Sequence, residues 1–395
     1  MAMVEWKKLG DVCEIKGRIG FRGYTREDQV EKGEGAISFS PGNIIDGVIS
    51  YNNSTFISWE KYEESPEIMV NEGDIILCKT ASVGKVARIH HLPEKATINP
   101  QLVLLKSIKI NPQFLLYILE DNPFQTKIKG LAGVGSVHNV SQAKLTSIQI
   151  PVPSLSEQQR IVGILDAFTA AIDNLKEQIA QRRKQYEYYR DQLLDLEGKA
   201  GVEMKMLGEV CSKLTDGSHF SPKSVEQGYY MPSVKDMTNN GFDYSNCKQV
   251  SREDYEDLIR NGCKPQINDV LIAKDGSMLK YVFPIIKEEE IAVLSSIAIL
   301  TPRTDIITSS YLSHYLKCAK IREKTIREFS SKGGVPRIIL KNFKKICVCF
   351  PPLSEQQRIV SILDTFEASI QNLEAQLKER EKQYEYYRNK LLTFE

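Results

Sequence analysis

The chain has 395 residues, 42% of them hydrophobic and 26% charged, with 52 Lys and Arg against 51 Asp and Glu. That length suggests two or three domains, each able to bury its own core, and the near-zero net charge excludes a strong basic field for steering nucleic acid. No apolar run approaches the ~18 to 20 residues a membrane span needs, and the N-terminus MAMVEWKKLGDV lacks the apolar core of a signal peptide, so a cytoplasmic protein without a membrane partner is expected.

Residues 1–153 open with Lys8-Leu9-Gly10-Asp11-Val12-Cys13 and continue as short apolar runs between Gly, Asn and Ser loops, the pattern of a mixed α/β body. Residues 72–79 spell a turn, a buried strand and an exposed basic loop, and residues 112–119 a short helix behind a polar cap. Charge in residues 1–150 balances at 17 basic and 17 acidic side chains. Catalytic motifs are wanting. Asn111-Pro112-Gln113-Phe114 has only part of the Asn-Pro-Pro-aromatic loop of amino-methyltransferases, and Gly84-Lys85 lacks the upstream glycine of a phosphate loop. The run from Asp74 to Lys79 has no second acid for a nuclease, and His90-His91 is an isolated surface pair rather than a metal site.

From 155 the sequence reads LSEQQRIVGILDAFTAAIDNLKEQIAQRRKQYEYYRDQLL, and from 353 LSEQQRIVSILDTFEASIQNLEAQLKEREKQYEYYRNKLL, 198 positions later with 27 of 40 residues identical. The chain is therefore two halves of one plan. Steps of four and three residues pick out Ile161, Leu165, Phe168, Ile172, Leu175, Ile179, Tyr186, Tyr189 and Leu193, with Arg182 as a polar interruption. The second copy gives Ile359, Leu363, Phe366, Ile370, Leu373, Leu377, Tyr384, Tyr387 and Leu391, interrupted by Arg380. This is a coiled-coil seam. Ser156 with Gln159 and Ser354 with Gln357 have capping-box spacing after proline-containing stretches, so the helices should begin near 156 and 354. A helix of ~38 residues is ~57 Å long and must cover its seam, most simply with the other copy. Antiparallel pairing is favoured over parallel, because each proline turn needs its own globular body beside it; the alternative is two core helices of ordinary domains.

Residues 201–351 repeat the first body loosely: Met206-Leu207-Gly208-Glu209-Val210-Cys211 matches the opening, residues 267–274 match 72–79, residues 310–316 read as a short helix, and 331–338 lie opposite 133–140. Here 22 basic residues face 18 acidic ones over 203–348. Cys13, Cys78, Cys211, Cys247, Cys263, Cys318, Cys347 and Cys349 form no Cys-x-x-Cys pair and read as reduced, mostly core thiols; no metal is expected. Near-identical arms holding unlike bodies suit a device that reads two different things; an enzyme with two active sites would keep its chemistry alike in both halves.

The doubled arm, from LSEQQRIV to KQYEYYR-x-x-LL, behind a proline turn and a variable body that opens LG-[DE]-VC, closely resembles the specificity subunit of Type I restriction-modification systems. The resemblance covers the whole chain, including Asp216-Gly217-Ser218-His219-Phe220-Ser221-Pro222-Lys223 in the second body. It implies a mixed α+β fold: recognition domain 1 (1–153), conserved helix 1 (154–200), recognition domain 2 (201–351) and conserved helix 2 (352–395), the helices pairing as an antiparallel coiled coil. It further implies a non-catalytic subunit whose two domains read the halves of a bipartite, asymmetric double-stranded DNA target. Two modification subunits carrying S-adenosylmethionine and two restriction subunits using ATP and Mg2+ would be the partners, with no cofactor in this chain.

Major-groove readout uses Arg or Lys for guanine, Asn or Gln for adenine, and Ser or Thr as adaptable donors on loops held by a rigid body. On that basis the candidates in the first body are Arg18, Arg22, Tyr24, Asn43, Lys79, Thr80, Ser82, Lys85, Gln101 and His138. In the second they are Lys213, Ser218, His219, Lys235, Lys274, Ser277, Lys280, Ser296, Lys332 and Arg337. The competing reading is an interaction scaffold whose bodies bind proteins without sequence-specific DNA contact.

Overall fold

The computed structural model describes residues 4–20, 23–132, 139–330 and 337–394. Arg22, His138 and Lys332 lie outside them. The chain divides into two compact units, Met1–Asn174 with Leu377–Glu395, and Leu175–Gln376. Four helices join bodies to arms: α1 (Pro112–Glu120), α2 (Leu155–Leu194), α3 (Ser309–Lys317) and α4 (Leu353–Leu392).

In the first unit, Glu5–Lys8 pairs antiparallel with Gln149–Val152, so the chain enters and leaves the body side by side. The central sheet contains β1 (Glu14–Lys16), β2 (Ile75–Cys78), β3 (Val86–Arg88) and β4 (Leu102–Lys106) in the order β1-β4-β2-β3, with antiparallel neighbours throughout. All four residues of β2 are buried because both sheet faces are covered. Alternation then sorts them: Ile75 and Leu77 pack with Phe114, Leu115 and Leu119 of α1, while Ile76 and Cys78 pack with Ile37, Phe39 and Ile98. Those last three belong to a second four-stranded sheet of Gln29–Val30, Gly35–Phe39, Thr55–Ser58 and Ala96–Ile98.

The second unit repeats the scaffold. Glu203–Met206 pairs antiparallel with Cys347–Phe350, and β5 (Cys211–Asp216), β6 (Val270–Ala273), β7 (Val282–Pro284) and β8 (Ile297–Pro302) take the order β5-β8-β6-β7, again antiparallel. Val270 and Ile272 face one core cluster, with Tyr311 and Leu312 of α3; Leu271 and Ala273 face the other. In place of the second sheet stand a two-stranded pair, Tyr229–Tyr230 with Gln249–Val250, and the helix Arg252–Arg260. The eight cysteines are free, and all but Cys347 are buried. Burial pushes the Cys13 and Cys211 thiols up to about 12, consistent with one packing position used twice.

Both long helices start one residue earlier than their capping-box spacing suggests. Leu155 already begins α2, with Ser154 Oγ accepting from Glu157 N at 3.4 Å, and Ser156 spends its hydroxyl on Ser154. Before α4 stands Pro352, whose carbonyl accepts from Glu355 N and Gln356 N. The residue that ties each arm to its body is the glutamine between the two supposed cap residues. Gln158 Oε1 accepts from Asn111 N at 2.9 Å and Nε2 donates to Pro153 O at 2.8 Å. In the second unit Gln356 Oε1 accepts from Thr308 N at 2.9 Å, and Nε2 donates to Ile306 O and Pro351 O. Asn111 and Thr308 are the N-caps of α1 and α3.

Within each unit the beginning of one arm lies antiparallel to the end of the other. In the first, Phe168 stacks on Tyr387 at 5.3 Å between ring centroids and meets Tyr384 at 6.4 Å. Tyr117 OH donates to Asp166 at 2.6 Å, and Arg388 pairs with Asp121 at 3.6 Å. In the second, Tyr189 stacks on Phe366 at 5.4 Å, Arg183 pairs with Glu374, and Tyr186 OH and Lys317 both donate to Glu367. Arg182 and Arg380, which interrupt the apolar seam, place their guanidinium groups over Phe366 and Phe168, so the polar residue is accommodated by an aromatic face. The outer seam residues have a different job from the one their heptad position suggests. Ile161 and Leu165 sit in the core of the first body together with Leu392, and Ile359 and Leu363 sit in the core of the second with Leu194.

Candidate nucleic-acid interface

Antiparallel order brings the C-terminal ends of β1 and β2 and the N-terminal end of β4 to one edge of the first sheet. Lys79 leaves β2 and is held on both sides, its N donating to Gln101 O and its O accepting from Val140 N, each at 2.9 Å. Thr80 bridges Asn139, with Oγ1 donating to Asn139 Oδ1 at 2.9 Å. Gln101 is oriented by Asn99, whose Nδ2 donates to its Oε1 at 3.1 Å. A tight loop follows in which Ala81 and Gly84 have φ of 62° and 97°, presenting Ser82 and Lys85 on the exposed surface. Lys85 Nζ donates to Ile44 O.

The second body rebuilds the same edge with other chemistry. Lys274 leaves β6 with its N donating to Ser296 O and its O accepting from Ile338 N, the counterparts of the Lys79 bonds. Asp275 bridges Arg337 as Thr80 bridges Asn139. Lys274 is buried, contrary to the exposed basic loop the sequence suggests, and its ammonium pairs with Asp216 at 3.0 Å. His219 lies 3.4 Å from the same carboxylate. Ser218 N donates to Val293 O, Ser295 N donates to Ser218 O, and Ser296 Oγ accepts from Val234 N beside the exposed Lys235. Ser277 and Lys280 lie on the tight loop after Asp275, which includes Gly276 and Leu279 at φ of 65° and 54°.

The structure thus gathers Lys79, Thr80, Ser82, Lys85 and Gln101 on one edge, and Ser218, His219, Lys235, Lys274, Ser277, Lys280, Ser296 and Arg337 on the other. Four other candidates, Arg18, Tyr24, Asn43 and Lys213, are spent internally or lie elsewhere. Arg18 is buried, with Nε donating to Ile98 O and its guanidinium 5.2 Å from the Tyr24 ring, and Tyr24 itself bonds Ser38. Asn43 is buried in a turn where Oδ1 accepts from Ser40 N and Nδ2 donates to Ser50 O. Lys213 lies within β5 rather than at its end. Sequence reasoning missed Asn139 and Asn99, because only the folded loops bring them to Thr80 and Gln101. The first edge adds the amides of Asn99, Gln101 and Asn139 to its lysines, whereas the second adds His219 and Arg337 to its serines and lysines, so the two offer different donors and acceptors.

A second feature also recurs in both units. In the first, Leu155, Glu157 and Arg160 from the start of α2, Tyr386 and Lys390 from the end of α4 and Phe394 just beyond it come together, most of them lining a cleft of about 790 Å³. The equivalents of Leu155 and Tyr386, Leu353 and Tyr188, are exposed as well, and Arg160 and Arg358 grip Glu157 and Glu355 through the same two-bonded contact. Elsewhere in the second unit, His314, Asp364 and Glu367 place ligand atoms within 4.8 Å of one another, a donor set that suits a divalent cation. The set also satisfies itself: His314 Nε2 pairs with Asp364 at 2.8 Å, and Lys317 and Tyr186 hold Glu367.

Residues 3–182 and 199–381 each match the Type I restriction modification DNA specificity domain, so the two matches divide the chain as its repeat does. The chain belongs to this family. Similar members include a putative type I restriction enzyme specificity subunit of Haemophilus influenzae, 32% identical over 301 residues that cover 72% of this chain and 73% of the relative. The EcoR124I/EcoR124II specificity subunit of Escherichia coli is 34% identical over 278 residues, 65% of each chain. The fold is also that of the Type I restriction-modification S subunit from M. genitalium, with a TM-score of 0.58 and 15% identity over 100% of this chain and 97% of that one. Each specificity match contains one strand-end edge, at Lys79 in the first and at Lys274 in the second. Among the described residues no helix is long and apolar enough to cross a membrane.

Proposed function

We propose that each body reads one half of a bipartite, asymmetric DNA target through its strand-end edge, and that the paired arms set the unread gap. The observation that carries this reading is the pairing of one scaffold with two chemistries. The main-chain bonds around Lys79 and Lys274 correspond, while Thr80, Gln101 and Asn139 give way to Asp275, Ser296 and Arg337. Direct readout needs such a fixed backbone carrying exchangeable side chains.

Catalysis belongs to the partners in this reading. Two modification subunits, carrying S-adenosylmethionine and methylating adenine N6, dock on the two helix-end faces. Because both faces include the identical LSEQQR and KQYEYYR blocks, one kind of partner fits both. Two restriction subunits, using ATP and Mg2+, complete a cytoplasmic assembly. The test is methylation-aware sequencing of cells expressing the chain with its modification partner: N6-methyladenine should be gained in one bipartite motif. A methylome that is the same with and without the chain would refute the assignment.

A further inference from the structure

We propose that Phe220 reads a thymine methyl group in the half-site bound by the second body. The inference rests on the DNA-reading assignment above and adds a named contact to it. Phe220 is 70% exposed. A single exposed apolar side chain is ordinary on a protein surface; the loop that holds this one is not slack. At its base Gly217 is buried so closely against Val293 that an added Cβ would lie 2.0 Å from the carbonyl oxygen, so only glycine fits. Ser218 is bonded to Val293 and Ser295 on one side, and its Oγ accepts from Phe220 N at 3.1 Å and donates to Phe220 O at 2.7 Å. Beyond the ring, Lys248 Nζ donates to Ser221 Oγ at 2.7 Å and to Pro222 O, and Pro222 is buried.

The backbone on both sides of Phe220 is thus held, and its ring is left exposed. It stands at the end of β5 where Lys274, Ser296 and Arg337 gather, among groups that are otherwise polar. Ile286, which is still more exposed, lies at the other end of the sheet, where Ile285 bonds Asp269 ahead of β6. Hydrogen-bonding side chains distinguish the polar edges of base pairs, but the C5-methyl of thymine is the one apolar mark in the major groove, and an exposed ring on a held loop is suited to cover it.

The test uses the complex of the chain with its modification partner and duplexes in which each thymine of the second half-site, on either strand, is replaced in turn by uracil. One replacement should weaken binding about fourfold, the value of one buried methyl, and that penalty should vanish in Phe220→Ala while Phe220→Leu keeps part of it. Phe220→Ala should melt as the parent does, since little of the ring is buried. If every uracil is neutral with the parent complex, if the penalty persists in Phe220→Ala, or if the half-site holds no thymine, the assignment of Phe220 is wrong. A complex that does not prefer its target to a scrambled duplex would instead overturn the DNA-reading assignment itself.

Discussion

Gln158→Met should loosen the first unit selectively. The side chain is 3% exposed, and methionine fills a similar volume without its two hydrogen bonds. Its removal orphans Asn111 N, the backbone donor of the α1 cap residue, and Pro153 O, the last carbonyl before the arm. At about 1 to 3 kcal/mol for each buried group left unsatisfied, the loss is roughly 3 kcal/mol. For a unit of 150 to 250 residues that lowers the melting temperature by roughly 6 to 12 °C. Trp6 and Trp59, the chain's two tryptophans, both belong to the first unit, so their fluorescence during urea or thermal unfolding reports that unit. Gln356→Met is the internal control: it removes three bonds from the second unit and should leave the tryptophan transition in place while speeding amide exchange at the start of α3. The reasoning fails if Gln158→Met costs under about 1 kcal/mol, or if both variants move the tryptophan transition equally.

Glu120 has its carboxyl pushed up to about 7 by burial, against the pull of Arg388. Between the ordinary value near 4.5 and 7 the folded chain keeps a proton that the unfolded chain has released, so this contribution to stability is full below 4.5 and lost as pH rises to 7. Glu120→Gln should flatten that slope, worth roughly 3 kcal/mol, in unfolding measured from pH 4.5 to 7.5. Leu363→Asp places a carboxylate without a partner in the second body's core, at a cost of several kcal/mol; hydrogen exchange should show β5, β6 and β8 unprotected while the tryptophan transition stays. Deleting residues 377–395 removes Tyr384, Leu391, Leu392 and Phe394 from the core of the first body. It should abolish the tryptophan transition and spare protection in the second body, and a first body that melts normally without them would contradict the packing described.

The arms were legible because the repeat fixes their register and the heptad spacing their shape. What the spacing could not tell was which neighbour covers each seam position. Leu165 and Phe168 occupy the same stripe, yet one is swallowed by a body and the other stacks on a helix, because the bodies abut only the first turns. Ser156 and Gln159 carry the right residue types for a cap, but the helix begins at Leu155 and Gln158 makes the long-range bonds. Among the base-reading candidates, Asn43 could have been set aside, since Ser40-x-x-Asn43 and Ser233-x-x-Asp236 both have the spacing of a self-bonded turn, and both form one. The burial of Lys274 had no such signal: its partner Asp216 lies 58 residues away in sequence.

The first unit is assembled from residues Met1–Asn174 and Leu377–Glu395, whereas the second is one continuous stretch. During synthesis at about 5 to 20 residues per second, the first body therefore waits roughly 10 to 40 s with its core open after residue 174 has been made, until residue 377 and those beyond it follow. The body translated first is the one finished last. In that interval the exposed apolar surface of Ile161 and Leu165 is a target for chaperones, and a ribosome that stalls late in the message leaves a chain whose second body is complete and whose first is not.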